Sequence, residues 1–349
     1  MMTADDSRLH DLSLTLSAGQ PLPATAEAWL AGLPGPVMLR YPGVDRTRVR
    51  ALVTLLHGNE PSGLRAIHGW LSGAAAAPPP ATDLVLIIAN VAAARLPPRY
   101  NHRQLPNERD LNRCFRAPWQ DGPGQLAQAI LSALVALGPE AVLDLHNTSG
   151  ASPPFAVAAI DDARHRAFAA RFCDHLIVTD LRLGALMEAA EHLFPTLTIE
   201  CGGSGDPRAD AMAATVISRF ADSPALFAAQ PATDTLTVFR NPVRVELAPG
   251  ASLSFDPSEV ADVMLRTDIQ QHNFGLALPG VALASLGRDG LGHLVARDHR
   301  GRPVLTELFE ARAGTLTPRQ PLHLFMATAR ADIAASDCLF YVAPAQQQH

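Results

Sequence analysis

The sequence predicts an α/β protein: a sheet layered with helices, followed by a smaller β-rich domain. Three observations carry this. Short apolar runs alternate with segments of helical period through most of the chain, the pattern of strands packed between helices. From about Thr233 the character changes to short strands separated by Gly, Pro and Asp turns. A chain of 349 residues is also long for one core. The expected division is an α/β domain over residues 1–232 and a β domain over 233–349.

In chain order, residues to about 35 read as an irregular lead-in with one short helix around Thr25 to Ala31. Val37 to Tyr41 and Arg50 to Leu56 read as strands around a Pro-Gly-Val-Asp turn. A helix over Gly63 to Ala75, a Pro-rich loop over Ala77 to Ala81 and a strand over Asp83 to Ala89 follow. Leu96 to Trp119 has many prolines and arginines and no period, and a loop of that length in a compact domain points to function. A helix over Gln125 to Leu137 leads into the apolar strand Ala141 to Thr148. Strands over 156–160, 176–178 and 196–200 then alternate with helices over 162–172 and 209–220. The carboxyl-terminal strands are expected over 235–239, 243–247, 281–283, 293–296 and 322–326.

Composition narrows the function classes. Forty-eight per cent apolar and 18% charged residues suit a globular protein with a sizeable core. A net charge of −6 and a pI near 6.1 give no support to nucleic-acid binding, and all 28 basic residues are arginine. Four scattered cysteines show neither a disulfide framework nor a C-x-x-C metal site. The first twenty residues lack the apolar core of a secretory signal. No run reaches the roughly 18 apolar residues of a membrane span. These features place the chain in the cytoplasm, off membranes, and leave open whether it is a monomer or a homo-oligomer.

Chemistry concentrates at the ends of two apolar strands. His57-Gly58-Asn59-Glu60 closes one, ahead of a Pro61-Ser62-Gly63 helix start, and His146 ends the other. Open α/β sheets place ligands at the carboxyl ends of their strands. His57, Glu60 and His146 form a two-histidine, one-carboxylate set suited to one Zn²⁺ ion with an open position. Asp144, two residues before His146 on the same face, is a candidate partner for the second ring nitrogen of a ligating histidine.

Two further segments complete the set. Asn112 and Arg113, an adjacent amide and guanidinium in the basic loop, can bind one carboxylate between them. Arg95, Arg99, Arg109 and Arg116 read as solvated surface arginines. Glu200 ends another apolar strand before Cys201-Gly202-Gly203, where a carboxylate could take a proton from an attacking water and pass it to a leaving nitrogen. The alternative for Glu200 is a cap on the following helix, from which several residues separate it.

Taken together, His57-Gly58-Asn59-Glu60, Asp110-Leu111-Asn112-Arg113-Cys114-Phe115, Asp144-Leu145-His146-Asn147-Thr148 and Ile199-Glu200-Cys201-Gly202 resemble the succinylglutamate desuccinylase/aspartoacylase family in order and rough spacing, over residues 35–225. The Asp-Leu-His-Asn-Thr segment leans toward the aspartoacylase branch. The resemblance implies a zinc hydrolase with a carboxypeptidase-like mixed sheet flanked by helices. It implies Zn²⁺, one per chain, on His57, Glu60 and His146, with Glu200 as general base and then acid. It also implies Asn112, Arg113 and Asn147 on the substrate, and Arg103 polarising the scissile carbonyl, with Arg99 as the fallback. A carboxyl-terminal β domain over the entrance and an N-acyl amino acid as substrate are implied as well. One neighbourhood departs from the family. Where aspartoacylases carry a carboxylate-gripping arginine shortly before the catalytic glutamate, this chain has Glu188, Glu191 and His192. Acidic residues there would be solvated, or would face a neutral or cationic side chain. The rival readings are a carboxypeptidase-like enzyme acting on short peptides and a non-catalytic zinc- or carboxylate-binding module.

Overall fold

The computed structural model describes residues 13–14, 22–73, 78–228 and 235–345. Most of the expected lead-in, the last two residues of the helix expected to Ala75, Ala77 and the 232/233 boundary lie outside these. Two compact units emerge. One holds the described residues to Asn147 with Pro154–Val178 and Arg182–Val238; the other holds Thr148–Pro153, Thr179–Leu181 and the chain from Phe239.

The strands of the largest sheet are β1 (Ser13–Leu14), β2 (Val37–Tyr41), β3 (Asp45–Thr54), β4 (Thr82–Ile88), β5 (Ala141–Thr148), β6 (Phe155–Ala158), β7 (His175–Val178), β8 (Thr196–Gly203) and β9 (Thr237–Arg240). They form one sheet in the order β1-β2-β4-β3-β5-β8-β6-β7-β9. The sheet is mixed, as expected: β3 is parallel to both β4 and β5, whereas β2 pairs antiparallel with β4, and β6 with β8. β4 and β5 are buried at every position, which is why they read as near-continuous apolar runs. Alternate residues of β3 serve different cores. Leu52 packs with Leu86, Leu143 and Ile199, while Ala51 and Val53 pack with Val85, Val142 and Ile130.

The flanking helices are α1 (Ala26–Gly32), α2 (Ser62–Gly73), α3 (Val91–Arg95), α4 (Gly122–Leu137), α5 (Ala163–Ala169), α6 (Leu186–Ala190) and α7 (Pro207–Asp222). Their limits follow local chemistry. Asp121 caps α4 by accepting from the Gly124 N–H, Pro123 sits in the first turn, and Gly138 ends the helix at φ +57°. Asp206 caps α7 in the same way, so Glu200 is not spent on that cap. The short helices α3 and α6 went unrecognised, since five residues give too little periodicity to read.

In the second unit two five-stranded sheets surround a core of residues such as Val245, Leu265, Phe309, Leu324 and Phe340. The strands expected at 243–247, 293–296 and 322–326 are found to within a residue, at Val243–Leu247, Leu294–Arg297 and Leu322–Phe325. The one expected at 281–283 instead spans Ala284–Leu286. Further two- to five-residue strands, including Phe309–Arg312 and Phe340–Pro344, carried no recognisable alternation.

One local feature aims the site. β3 stops at Thr54, two residues short of the expected end, because the fully buried Leu55 takes φ +59°. That conformation costs a non-glycine residue roughly 1–2 kcal/mol. It is held by the Asn90 N–H, which donates to the Leu55 carbonyl at 2.7 Å. The turn lifts His57 and Glu60 off the sheet edge. Thr54 stands opposite Leu145 in the parallel β3/β5 pair, so His146 leaves the same edge one position on. Gly58 permits the turn, because a Cβ there would lie 2.6 Å from the Ala94 nitrogen and 2.7 Å from the Ala93 carbonyl carbon. Those are backbone atoms that cannot move aside. Gly58→Ala is therefore expected to destabilise the protein by about 1–3 kcal/mol, the usual cost of overpacking. Urea midpoints at unchanged slope measure this; an unaltered midpoint refutes the packing argument.

Candidate active site

Glu60 lies between the two histidines. Its Oε1 is 2.8 Å from His57 Nδ1 and its Oε2 is 2.7 Å from His146 Nδ1. The Asn147 backbone N–H donates to Oε2 at 3.1 Å, fixing the carboxylate. All three side chains are buried, and one ligand atom from each lies within 4.8 Å of the others. The far nitrogen of each imidazole meets its own carboxylate. Asp110 Oδ1 is 3.0 Å from His57 Nε2, and Asp144 Oδ2 is 2.9 Å from His146 Nε2. The Asp144 contact is ionic and lies off the line of the ring N–H, so it does not satisfy that atom as a hydrogen bond. Two imidazoles and a carboxylate, each ring backed by a carboxylate, fit a tetrahedral N/O-preferring ion such as Zn²⁺. The donor atoms would be Nδ1 of both histidines.

Electrostatics separates the acidic groups. Burial alone would raise Glu60, yet the two imidazoles hold it well below the usual carboxylate range. Burial likewise opposes ionisation of Asp110, but His57, Arg103 and Arg113 hold it far down. For His146, burial disfavours the cation, and Asp144 with Glu60 outweighs it and raises the ring. Glu200, in β8 beside β5, behaves oppositely: burial pushes it up to about 7. It lies within electrostatic reach of His146, Glu60, His57 and Arg103, and its buried Oε2 has no hydrogen-bond partner among the described residues.

The basic loop is drawn to the same place. The Gly58 N–H donates to the Arg103 carbonyl at 2.9 Å. The Arg103 side chain donates from Nε to Asp110 at 2.9 Å and comes within 3.7 Å of Glu60 Oε1. Arg99 acts on Glu27 and Tyr100 instead. Asn112 and Arg113 lie in a 3-10 turn, Leu111–Arg113. Asn112 accepts from the Leu186 N–H through Oδ1, and its NH₂ group bonds to none of the described residues. Arg113 donates to the Asn112 carbonyl and forms no ion pair among the described residues. Arg95, Arg109 and Arg116 are not merely solvated: each donates to a fixed acceptor, the Leu33 carbonyl, Asp121 and the Arg182 carbonyl respectively.

Two neighbourhoods are engaged by the protein itself. Asn147 is engaged at both ends of its amide by protein, accepting from the Ser62 N–H and donating to Ser62 Oγ and the Gly202 carbonyl. These bonds brace the site between β5, α2 and β8. Glu188 and Glu191 do not stand in solvent either. Glu188 accepts the N–H groups of Leu183 and Gly184, and the buried Glu191 pairs with Arg182 and His192. Sequence reasoning missed Asp110 as the His57 partner. It was visible only as a neighbour of Asn112 and Arg113, and nothing in the spacing ties it to a residue 53 positions earlier.

Residues 49–221 match the model of the succinylglutamate desuccinylase/aspartoacylase catalytic domain, a span that contains every residue of this site. The chain belongs to that family. No curated protein matches the sequence. Among solved structures it is similar to a succinylglutamate desuccinylase/aspartoacylase from Rhodobacter sphaeroides, at 15% identity and TM-score 0.56 over 90% of this chain and 89% of that one. A succinylglutamate desuccinylase from Chromobacterium violaceum is similar at 16% identity and TM-score 0.56 over 91% of each chain. Murine aminoacylase 3 is similar at 17% identity and TM-score 0.52 over 85% and 95%. At these identities the likeness concerns the fold, which is the zinc-carboxypeptidase-like one. None of the helices among the described residues is long and apolar enough to cross a membrane.

The raised Glu200 has a consequence for stability. A carboxyl that holds its proton more tightly when folded favours folding below its unfolded value of 4.5, and this contribution is lost as pH rises through about 7. Glutamine keeps the neutral form. In metal-free protein Glu200→Gln is expected to gain stability over the native chain between about pH 5 and about pH 8. Urea midpoints at both values test this, and a constant difference contradicts the burial of an unpaired carboxyl.

Proposed function

We propose that this protein is a zinc-dependent amidohydrolase that removes the acyl group from an N-acylated amino acid or a related small carboxylate. The observation that carries the reading is the buried His57-Glu60-His146 set with a near-neutral carboxyl, Glu200, in electrostatic reach. The family's desuccinylase and aspartoacylase names support the substrate class, and the Asp-Leu-His-Asn-Thr segment favours the aspartoacylase side. Four free, buried cysteines accord with a reducing cytoplasm.

When bound, one Zn²⁺ ion supplies Lewis acidity and lowers the pKa of water toward 7. The chain's own residues do the rest. Glu200 takes the proton of the attacking water, for which a pKa near 7 suits a group that must accept and then release it. It then delivers that proton to the amide nitrogen as the carbon–nitrogen bond breaks. Arg103, held toward the ligand cluster by Asp110, donates to the carbonyl oxygen as negative charge develops there. The NH₂ of Asn112, unbonded among the described residues, and the guanidinium of Arg113 grip the amino-acid carboxylate.

A hydrolysis screen varying the acyl and amino-acid halves, run beside a dipeptide panel, tests the reading. Turnover of N-acyl amino acids is expected, and hydrolysis of dipeptides alone would replace the deacylase with a peptidase. Glu200→Gln should retain metal by elemental analysis and lose at least about 10²-fold in kcat; near-native turnover would remove Glu200 from the mechanism. Arg113→Ala should raise KM about tenfold or more with kcat little changed, as loss of uniform binding does. An unchanged KM would dismiss its grip on the carboxylate.

A further inference from the structure

The two carboxylates behind the histidines are not equivalent. Asp144 is fixed in the middle of β5 and fully buried, and its charge is directed at His146. Asp110 lies in the basic loop and its carboxylate accepts three donors. Oδ1 takes His57 Nε2 at 3.0 Å and the Asn112 backbone N–H at 2.8 Å, while Oδ2 takes Arg103 Nε at 2.9 Å. Its backbone carbonyl accepts the Arg113 N–H at 2.9 Å. Arg103 also approaches Glu60 at 3.7 Å, and Glu60 meets His57 at 2.8 Å. Arg103, Asp110, His57 and Glu60 thus close a ring of four charged or chargeable groups.

We propose that Asp110 is a positioning residue that couples metal loading to the placement of Arg103. By accepting Nε2–H it selects the His57 tautomer whose Nδ1 lone pair is available to a metal. By accepting Arg103 Nε–H through its other oxygen, it aims the guanidinium and holds the Asn112-Arg113 turn beside it. An asparagine cannot replace it. One amide oxygen can serve His57, but the NH₂ then opposes Arg103 donor to donor. The role of Arg103 toward substrate rests on the deacylase reading above, whereas the coupling itself does not.

The test is therefore made with the metal alone. Zn²⁺ affinity of the full chain is measured by competition with a chromophoric chelator for the native protein, Asp110→Asn, Asp144→Asn, Arg103→Ala and the doubles Asp110→Asn/Arg103→Ala and Asp144→Asn/Arg103→Ala. Asp110→Asn and Asp144→Asn should each weaken binding about 10- to 100-fold. The factor by which Arg103→Ala changes affinity should shift at least about threefold when Asp110 is absent, and stay within about twofold when Asp144 is absent. The same Arg103→Ala factor in all backgrounds, or Asp110→Asn within about twofold of native affinity, overturns the proposal. Should Asp110→Asn fail to fold by circular dichroism, Asp110→Glu carries the same cycle, its extra methylene displacing the shared carboxylate. A chain that hydrolyses no acyl amino acid would end the deacylase reading and leave this cycle standing.

Discussion

The buried carboxylate of Glu60, with one oxygen against each of two imidazoles, is the constraint on which the rest of the first unit depends. An ionised group removed from water is costly unless paired and hydrogen-bonded on every side. Satisfying Glu60 requires the ends of two parallel strands to meet. β3 and β5 must be neighbours, β3 must release its chain through the left-handed turn at Leu55, and Gly58 must carry no side chain so that the turn can press on Ala93 and Ala94. Asn147 ties the same carboxylate to Ser62 and to the carbonyl of Gly202, and so links β5, α2 and β8.

Around that centre environment alone gives three carboxylates, Glu60, Asp110 and Glu200, different characters. Glu60 and Asp110 face imidazole and guanidinium and stay ionised. Asp144 sits 2.9 Å behind His146 Nε2. Glu200 shares the burial but its Oε2 has no hydrogen-bond partner among the described residues, and burial raises it until it titrates at about 7. Groups of identical chemistry whose environments drive them apart are the pattern by which acid–base and ligand roles are separated within a site.

Much of this was legible in the chain. His57, Glu60, His146, Asp144 and Glu200 all sit at or just past the ends of apolar runs, and a strand's end is a place sequence can locate because burial imposes continuous apolar character. The basic loop was legible as functional, but its internal assignments were not. Arg103 and Arg99 look alike in sequence, yet the Gly58-to-Arg103 backbone bond brings one to Glu60 while the other acts on Glu27. Asn147, placed on the substrate by the resemblance, is bonded through its amide to Ser62 and Gly202. Glu188 and Glu191 looked exposed and proved to be held by backbone N–H groups and by Arg182.

The sequence by itself determined the α/β class and the metal-competent side chains, which are written in residue type and strand-length periodicity, and four short motifs carried the family resemblance. All of these are local properties. Only the tertiary structure decided which carboxylate stands behind His57, which arginine reaches the site, and that Thr148–Pro153 and Thr179–Leu181 belong with the carboxyl-terminal unit. Those are pairings between residues many positions apart. They are set by how strands register and how loops return to the sheet edge, and no local pattern in the chain records them.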